Sequence, residues 1–409
     1  MSPEQISEGS CAGGKLMGKF KWTLLLFCLL IILAKFSWSA PRITTECAQR
    51  YQGFTPGQDI AVGVNPNKGV VADFNRDGRD DLAVINAASN TISVLISNPN
   101  TTFSYTEFQT GQTPTGDRLL RRLRGIAAED FNNDGQIDLA ATDFARIGIW
   151  VGDGAGAFRF HSSYWWKAYA PSSTGVAQDL AVADLDKDGN QDLLIAAAIG
   201  DKVVVLQGDG RGGFSVSETF ATGATRPEAL LIANFNNDAH ADVAVLHTVA
   251  NTLAVLLGRG QGQLSAPLVL QTGRQPYGYD VGDVNHDSHL DLVVAGFDEQ
   301  FMTILVGDGQ GNFSSVPNRL SARGIRDVTI GDLDNDGRDD IIALQITDKV
   351  FIATGSLGSP PNFYVDQLIH DRGATQVHLG DLDADGDLDI VTINQLSNNI
   401  TVFSNKLCR

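Results

Sequence analysis

Nine residues near the C-terminus, Asp381-Leu382-Asp383-Ala384-Asp385-Gly386-Asp387-Leu388-Asp389, put carboxylates at the first, third, fifth and ninth positions of a short turn. Oxygen donors at that spacing can converge on one hard cation. Ca²⁺ takes roughly six to eight oxygens, and a glycine at the sixth position makes the sharp turn that gathers them. An EF-hand loop begins the same way but closes with Glu at its twelfth position. Here Asp389 closes the loop at the ninth position and runs straight into Ile390-Val391-Thr392-Ile393. The loop therefore leads into a strand rather than a second helix, which points away from an EF-hand.

The nonapeptide has six counterparts, beginning at Asp73, Asp130, Asp184, Asn234, Asp283 and Asp332, and the seven recur every 49 to 57 residues. A fixed period of that size marks propeller blades or solenoid units. Each period reads alike. A short apolar run such as Gly69-Val70-Val71-Ala72 enters the acidic loop, and a second, Leu82-Ala83-Val84-Ile85, leaves it. A polar turn leads to an alternating run, Thr91-Ile92-Ser93-Val94-Leu95-Ile96, and a Gly-rich turn ending in Phe follows, as in Gly307–Phe313, Gly152–Phe158 and Gly208–Phe214. Short β-branched runs between Gly/Asn/Asp turns are hairpin signals, and no stretch carries a sustained helical period. The expected fold is all-β: a seven-bladed β-propeller of four-stranded antiparallel blades.

Charge supports a metal reading and argues against nucleic acid. The 409 residues hold 30 basic and 48 acidic side chains, a net charge of −18. A partner with a phosphate backbone would need a basic surface. Loop positions one, three, five and nine account for 23 of the 48 acidic residues, so much of the acidity sits where a cation would balance it.

The two ends frame the repeat. Residues 1–40 contain Lys15, Lys19 and Lys21, then the apolar run Trp22–Ala34, then Ser37-Trp38-Ser39-Ala40. That order describes a secretory signal, with an uncleaved N-terminal anchor as the alternative; the product is expected to be secreted or periplasmic. Residues 41–409 then form a single propeller and keep only Cys47 and Cys408. In an oxidising compartment the pair suggests one disulfide, with two free thiols as the other reading. Phe54 lies 19 residues before Asp73, as Phe313 does before Asp332, yet nothing ahead of Phe54 can form three strands of a blade. The last repeat stops at Thr401-Val402-Phe403, its third strand. Residues around 54–64 are therefore expected to supply the outer strand of the last blade, closing the ring and removing open sheet edges.

From residue 54 to 408 the chain resembles the FG-GAP/VCBS repeat family, whose best-known propellers are the heads of integrin alpha chains. The resemblance implies about five to seven Ca²⁺ sites, each in the hairpin between the first two strands of a blade. Carried over by position, the first loop (73–81) would use Asp73, Asn75, Asp77 and Asp81 with the Arg79 carbonyl. The second (130–138) would use Asp130, Asn132, Asp134 and Asp138 with Gln136, and the third (184–192) Asp184, Asp186, Asp188 and Asp192 with Asn190. The sixth (332–340) offers Asp332, Asp334, Asp336 and Asp340 with Arg338. The seventh (381–389) offers Asp381, Asp383, Asp385 and Asp389 with Asp387. Two loops depart from the pattern. The fifth (283–291) keeps Asp283, Asn285, Asp287 and Asp291 but has Ser288 at the turn. The fourth (234–242) begins with Asn234 and has Ala239 where glycine belongs. The histidines His240 and His289 fall at the seventh position, where only a backbone carbonyl is needed. The resemblance also implies a partner docking on the face opposite these loops, where blades connect.

Two blade connections are longer than the others. Phe103 to Asp130 spans 27 residues and carries Arg118, Arg121, Arg122 and Arg124; Phe158 to Asp184 spans 26 and carries His161, Tyr164, Trp165, Trp166 and Tyr169. Aromatic residues and arginines are enriched at recognition hot spots. Tyr164, Trp165, Trp166, Arg121 and Arg122 are the candidate contacts for an extracellular protein or carbohydrate bound by a monomeric propeller. The alternative for that stretch is a side cap of aromatics beside arginines that balance acidic neighbours. An enzyme, a carbohydrate-active lyase or hydrolase, is the rival class. The sequence has no G-x-S-x-G and no H-E-x-x-H, and the period explains the aspartates better than a catalytic pair does, so the chain is read as non-catalytic.

Overall fold

The computed structural model describes residues 51–99, 102–111, 120–166, 176–299, 302–316, 323–347, 349–354, 364–369 and 373–407. The N-terminal segment, Cys47 and Cys408 with their proposed pairing, Arg118 and Tyr169 lie outside these residues. Among the described residues there are thirty strands. They make seven four-stranded antiparallel sheets and one two-stranded ribbon. The unit Tyr51–Leu407 is thus the seven-bladed propeller expected from the repeat.

Blade 1 sets the pattern, with strands Pro66–Ala72, Asp81–Asn86, Thr91–Asn98 and Thr102–Gln109 paired in chain order. Every residue of Asp81–Asn86 is buried, as is every residue of its counterparts Asp192–Ala197 and Asp291–Gly296. Neighbouring blades cover both faces of each sheet. A second strand must therefore be apolar throughout rather than alternate, and Leu82-Ala83-Val84-Ile85 is such a run. The outer strand has only one covered face, so Phe158–Trp165 alternates between half-buried and exposed.

The core is accordingly divided among the gaps between blades. Ala140 and Ile149 of blade 2, for example, pack with Leu193, Ile195 and Val204 of blade 3. One contact recurs around the ring. The apolar second residue of an acidic loop meets the aromatic that opens the outer strand of the next blade. Phe74 meets Phe158, Phe131 meets Phe214 and Phe235 meets Phe313, edge-on with ring centroids 5.3–5.6 Å apart. Such pairs contribute about 0.5–1.5 kcal/mol beyond burial alone, and they tie the position of each loop to the neighbouring blade.

The first strands hydrogen-bond to one another around the inside of the ring. Asp179 Oδ2 accepts the Leu230 N–H, Asp280 Oδ2 accepts those of Ile330 and the Thr329 hydroxyl, and Asp327 Oδ2 accepts the Val377 N–H. Closure follows the expected route with a shorter strand: Gln58–Ala61 pairs with Asn399–Phe403 as the outer strand of blade 7. Tyr51–Phe54 adds a ribbon with Asn405–Leu407. The seam is also held by Thr401 Oγ1 donating to Asp59 Oδ1 at 2.7 Å and by the Asn65 N–H donating to Asn398 Oδ1 at 2.8 Å.

Candidate metal centres and the opposite face

All seven acidic loops sit between the first and second strands of their blades and adopt one turn. In each, Oδ1 of the first residue accepts the N–H of the fifth at 2.9–3.2 Å. Oδ1 of the third residue accepts the same N–H at 2.8–3.3 Å. Where the first residue is Asp, its second oxygen takes the N–H of the sixth at 2.6–3.0 Å. Asn234 has a single oxygen, so the fourth loop lacks this bond. In the third, sixth and seventh loops the carboxylate oxygens of Asp184, Asp186 and Asp192, of Asp332, Asp334 and Asp336, and of Asp381, Asp383 and Asp385 gather within 4.8 Å of one another. These clusters can hold metal ions.

The backbone explains why the sixth position favours glycine. Gly78, Gly135, Gly189, Gly337 and Gly386 have φ between 80° and 88°, the left-handed region that L-residues enter at a cost. No atom would obstruct a Cβ at Gly78 or Gly189, so dihedral preference rather than space selects the residue. Ala239 and Ser288 accept φ of 68° and 70° in the two departing loops. The missing glycine therefore strains the turn without changing it.

The ninth aspartate has a second role. Asp81, Asp138, Asp192, Asp242, Asp291, Asp340 and Asp389 are all buried. Except in the fifth loop, where Asn285 is the donor, Oδ2 accepts the N–H of the second loop residue. Oδ1 reaches across to the end of the third strand, accepting from Ser97, Gly152, Gly208, Gly258, Gly307 or Asn405. The residue clasps the hairpin to the rest of the blade. Burial pushes the carboxyls of Asp81, Asp138, Asp192 and Asp291 up to about 6 and that of Asp389 up to about 7, against the pull of these N–H donors. Nearby loop carboxylates push the same way. In these five loops a cation would relieve the like-charge crowding.

Several seventh-position side chains turn away from this oxygen cluster, whereas that of Arg79 stays on it. Gln136, His240 and His289 lie beneath the Gly-rich turns, against Gly154, Gly260 and Gly309. Arg79 donates to the Ser97 carbonyl and pairs with Asp77. Adjacent loops touch: Asp80 Oδ2 accepts the Asp381 N–H and Asp339 Oδ2 accepts the Asp283 N–H.

The candidate ligand contacts lie at the other ends of the strands and divide among themselves. Trp165 is 55% exposed, with the Arg146 guanidinium 3.8 Å above its ring. Trp166 is fully buried in the core between blades 2 and 3, so it is a packing residue and offers no surface for a ligand. Tyr164 packs on Phe214 and donates its hydroxyl to the Gly212 carbonyl at 3.2 Å. Arg121 and Arg122 are exposed, their backbone N–H groups held by Asp143 Oδ2 and Asn90 Oδ1. The long connections thus contribute a buried packing residue, Trp166, and exposed residues, Trp165, Arg121 and Arg122. A cavity of about 580 Å³ on this face, which includes Lys68, Arg124, Gln178 and Glu228, had no counterpart in the repeat pattern.

The sequence pattern of the FG-GAP-like repeat matches five overlapping stretches, residues 73–141, 130–195, 184–245, 234–294 and 287–343. Comparison with curated protein sequences finds no relative. Solved structures share the fold at low identity. BBS1N in complex with ARL6DN superposes with a TM-score of 0.60 at 13% identity, over 87% of this chain and 97% of that one. An Agrocybe aegerita lectin, solved for its recognition of non-reducing terminal N-acetylglucosamine, gives 0.54 at 17%, over 80% and 86%. Virginiamycin B lyase from Staphylococcus aureus gives 0.56 at 13%, over 86% and 99%.

Proposed function

The chain belongs to the FG-GAP-like repeat family, and on that premise we propose that it is a calcium-bearing, non-catalytic binding module whose ligand docks on the face opposite the acidic loops. The observation that carries this reading is one loop geometry kept seven times. The side chains at positions one, three, five and nine offer only carboxylate and amide oxygens, a donor set that suits Ca²⁺ rather than a thiolate- or imidazole-seeking metal. Bound there, the ion supplies positive charge among carboxylates that otherwise repel. Extracellular modules of this kind bind at about 10⁻⁴–10⁻³ M, and at tenfold excess one site stabilises the fold by about 1.4 kcal/mol.

The carboxylates that could imitate a hydrolytic pair are engaged in the turn and in clasping the third strand, which favours binding over a lyase or hydrolase activity. For the partner class, the neighbouring folds supply two precedents, a protein complex and a sugar-recognising lectin. Exposed Trp165 under Arg146, with exposed Arg121 and Arg122 on the same face, offers a surface suited to a protein or a carbohydrate. The basic, apolar and small-residue order of residues 1–40 supports export, and we read the module as a monomer.

Thermal unfolding of the full chain with millimolar calcium and with a chelator tests the metal assignment, and Trp165→Ala tests the face. Chelation is expected to lower Tm equally in both proteins. Insensitivity to calcium at millimolar levels would sink the metal assignment; collapse of Trp165→Ala would return Trp165 to the core.

A further inference from the structure

The cavity of about 580 Å³ is lined by Asn65, Asn67, Lys68, Arg122, Arg124 and Phe144, among others. Asn67 and Lys68 begin the first strand of blade 1, and Gln178 and Glu228, also in the lining, stand at the starts of the first strands of blades 3 and 4. First strands run toward the acidic loops, so their starts mark the opposite face. Because first strands line the inside of the ring, the cavity is a mouth of its central channel.

Its cations outnumber the carboxylates in its lining, the reverse of the acidic face. The Lys68 ammonium reaches past blade 2 to pair with Asp179. Gly125 stands between, where a Cβ would approach Leu180 N to 2.8 Å. Glu228 pairs with Arg226 at 3.2 Å. Arg122 and Arg124 have no carboxylate partner among the described residues. One Arg124 nitrogen donates to the neutral Gln178 Oε1, and its guanidinium lies 4.3 Å from the Phe144 ring centre, which fixes its plane. Arg122 is exposed and has a left-handed backbone, φ 56°. Asn67 Oδ1 is buried with no hydrogen-bond partner, so an acceptor waits in the same wall for a donor.

Two guanidiniums without an ion-pair partner among the described residues, with Glu228 acting on Arg124 only at longer range, in a chain of net charge −18, favour an anion. Planar forks match a carboxylate bidentately. The amides of Asn65, Asn67 and Gln178 supply the mixed donors and acceptors that hydroxyl groups need, and the volume falls in the range of small-molecule sites. We infer that this channel mouth binds a carboxylated saccharide of the uronate type, with Arg122 and Arg124 holding the carboxylate and the amides reading the hydroxyls. The inference rests on the reading of this face as the binding face and narrows it to one ligand chemistry.

Isothermal titration of the full chain in calcium, with digalacturonate as probe and lactose as neutral control, tests it. Digalacturonate should bind about tenfold or more tightly than lactose. Arg124→Gln and Arg122→Gln should each weaken it by about tenfold, and Arg124→Lys, which keeps the charge but loses the fork, by less. Equal binding of the two sugars, no saturable binding, or indifference to both Gln variants overturns the proposal. Tighter binding of a short poly-aspartate peptide assigns the arginines to a protein partner and overturns the saccharide. Each variant is also melted with calcium and with chelator. An intact calcium response with failed titration removes the saccharide site alone, whereas a lost calcium response in the unaltered chain removes the metal reading.

Discussion

The two faces of this ring use charge in opposite ways. On one, seven copies of a single turn crowd carboxylates together and leave them short of positive charge. On the other, an asymmetric cavity holds two arginines that have no ion-pair partner among the described residues. The first face is built by repetition and the second by departures from it. Four residues before the partner of the ninth aspartate, the seven first strands carry Lys68, Gly125, Asp179, Ala229, Gly278, Asp327 and Gln376. No period survives there. A ring in which every blade contributes equally can be stabilised by a repeated ion, but discrimination of a ligand needs blades that differ.

Stripping the cations should break the comparison most visibly. Five or more sites at about 1.4 kcal/mol each amount to several kcal/mol, and a chelator should lower Tm by roughly 10 °C. Scanning calorimetry of Arg122→Gln and Arg124→Gln in parallel should give the same drop. A smaller response in either variant would couple the faces energetically and dissolve the contrast.

The next effect separates ligation from clasping on the acidic face itself. Asp192→Ala removes a proposed cation ligand and also orphans the N–H groups of Leu185 and Gly208. It should cost about 2–4 kcal/mol in denaturant unfolding even without calcium. Asp188→Ala, whose side chain is exposed and accepts only the Asn190 N–H in the turn, should cost under about 1 kcal/mol in the chelated protein. Similar costs for the two would remove the clasp from the account.

Proton linkage gives a third handle. Burial raises the loop carboxyls at Asp81, Asp138, Asp192 and Asp291 to about 6 and Asp389 to about 7. The folded apo-protein then keeps protons that the unfolded chain releases from about pH 4 upward, so these groups favour folding at low pH and lose that contribution as pH rises through 6 to 7. His247 and His378, lowered to about 4 by burial, act oppositely: their contribution is present above about 6.5 and is lost as pH falls through 4. Five carboxyls outweigh two imidazoles, so the chelated protein should melt higher at pH 5 than at pH 7.5. With calcium the order should reverse, because the ion must displace those protons. Melting curves at the two pH values with and without calcium would expose a wrong sign.

The same contrast decides what the sequence could disclose. The loops were legible because an oxygen-donor turn repeats residue type and spacing with few departures, Asn234, Ala239 and Ser288 among them. Closure by Gln58–Ala61 was legible because a missing fourth strand and a surplus first strand are countable. Trp166 was misjudged as a contact surface, although the outer strand carries the answer: Phe158, Phe160 and Tyr164 share its parity and turn inward, and Trp165 does not. The Lys68–Asp179 pair was not legible, since it joins residues 111 apart across a channel. The position is no guide either, since other first strands carry Gly125, Ala229, Gly278, Asp327 and Gln376 there.

The smallest expected effect lies in the fourth loop, which keeps the common turn with two carboxylates and no glycine. Replacing Ala239 by glycine removes a left-handed Cβ at φ 68°. Against it stands the larger backbone entropy that glycine brings to the unfolded chain, so the net gain should be about 0.5–1 kcal/mol. Adding Asn234→Asp restores the second oxygen that bonds the sixth N–H elsewhere and supplies a third carboxylate. If geometry is already in place and charge alone is lacking, the double variant should take up one more calcium per chain by titration than the single variant does. Unchanged stoichiometry would mean that the fourth loop already binds its ion or that a neighbour excludes it. Loss of stability on Ala239→Gly would instead show that the left-handed turn carries no strain to relieve.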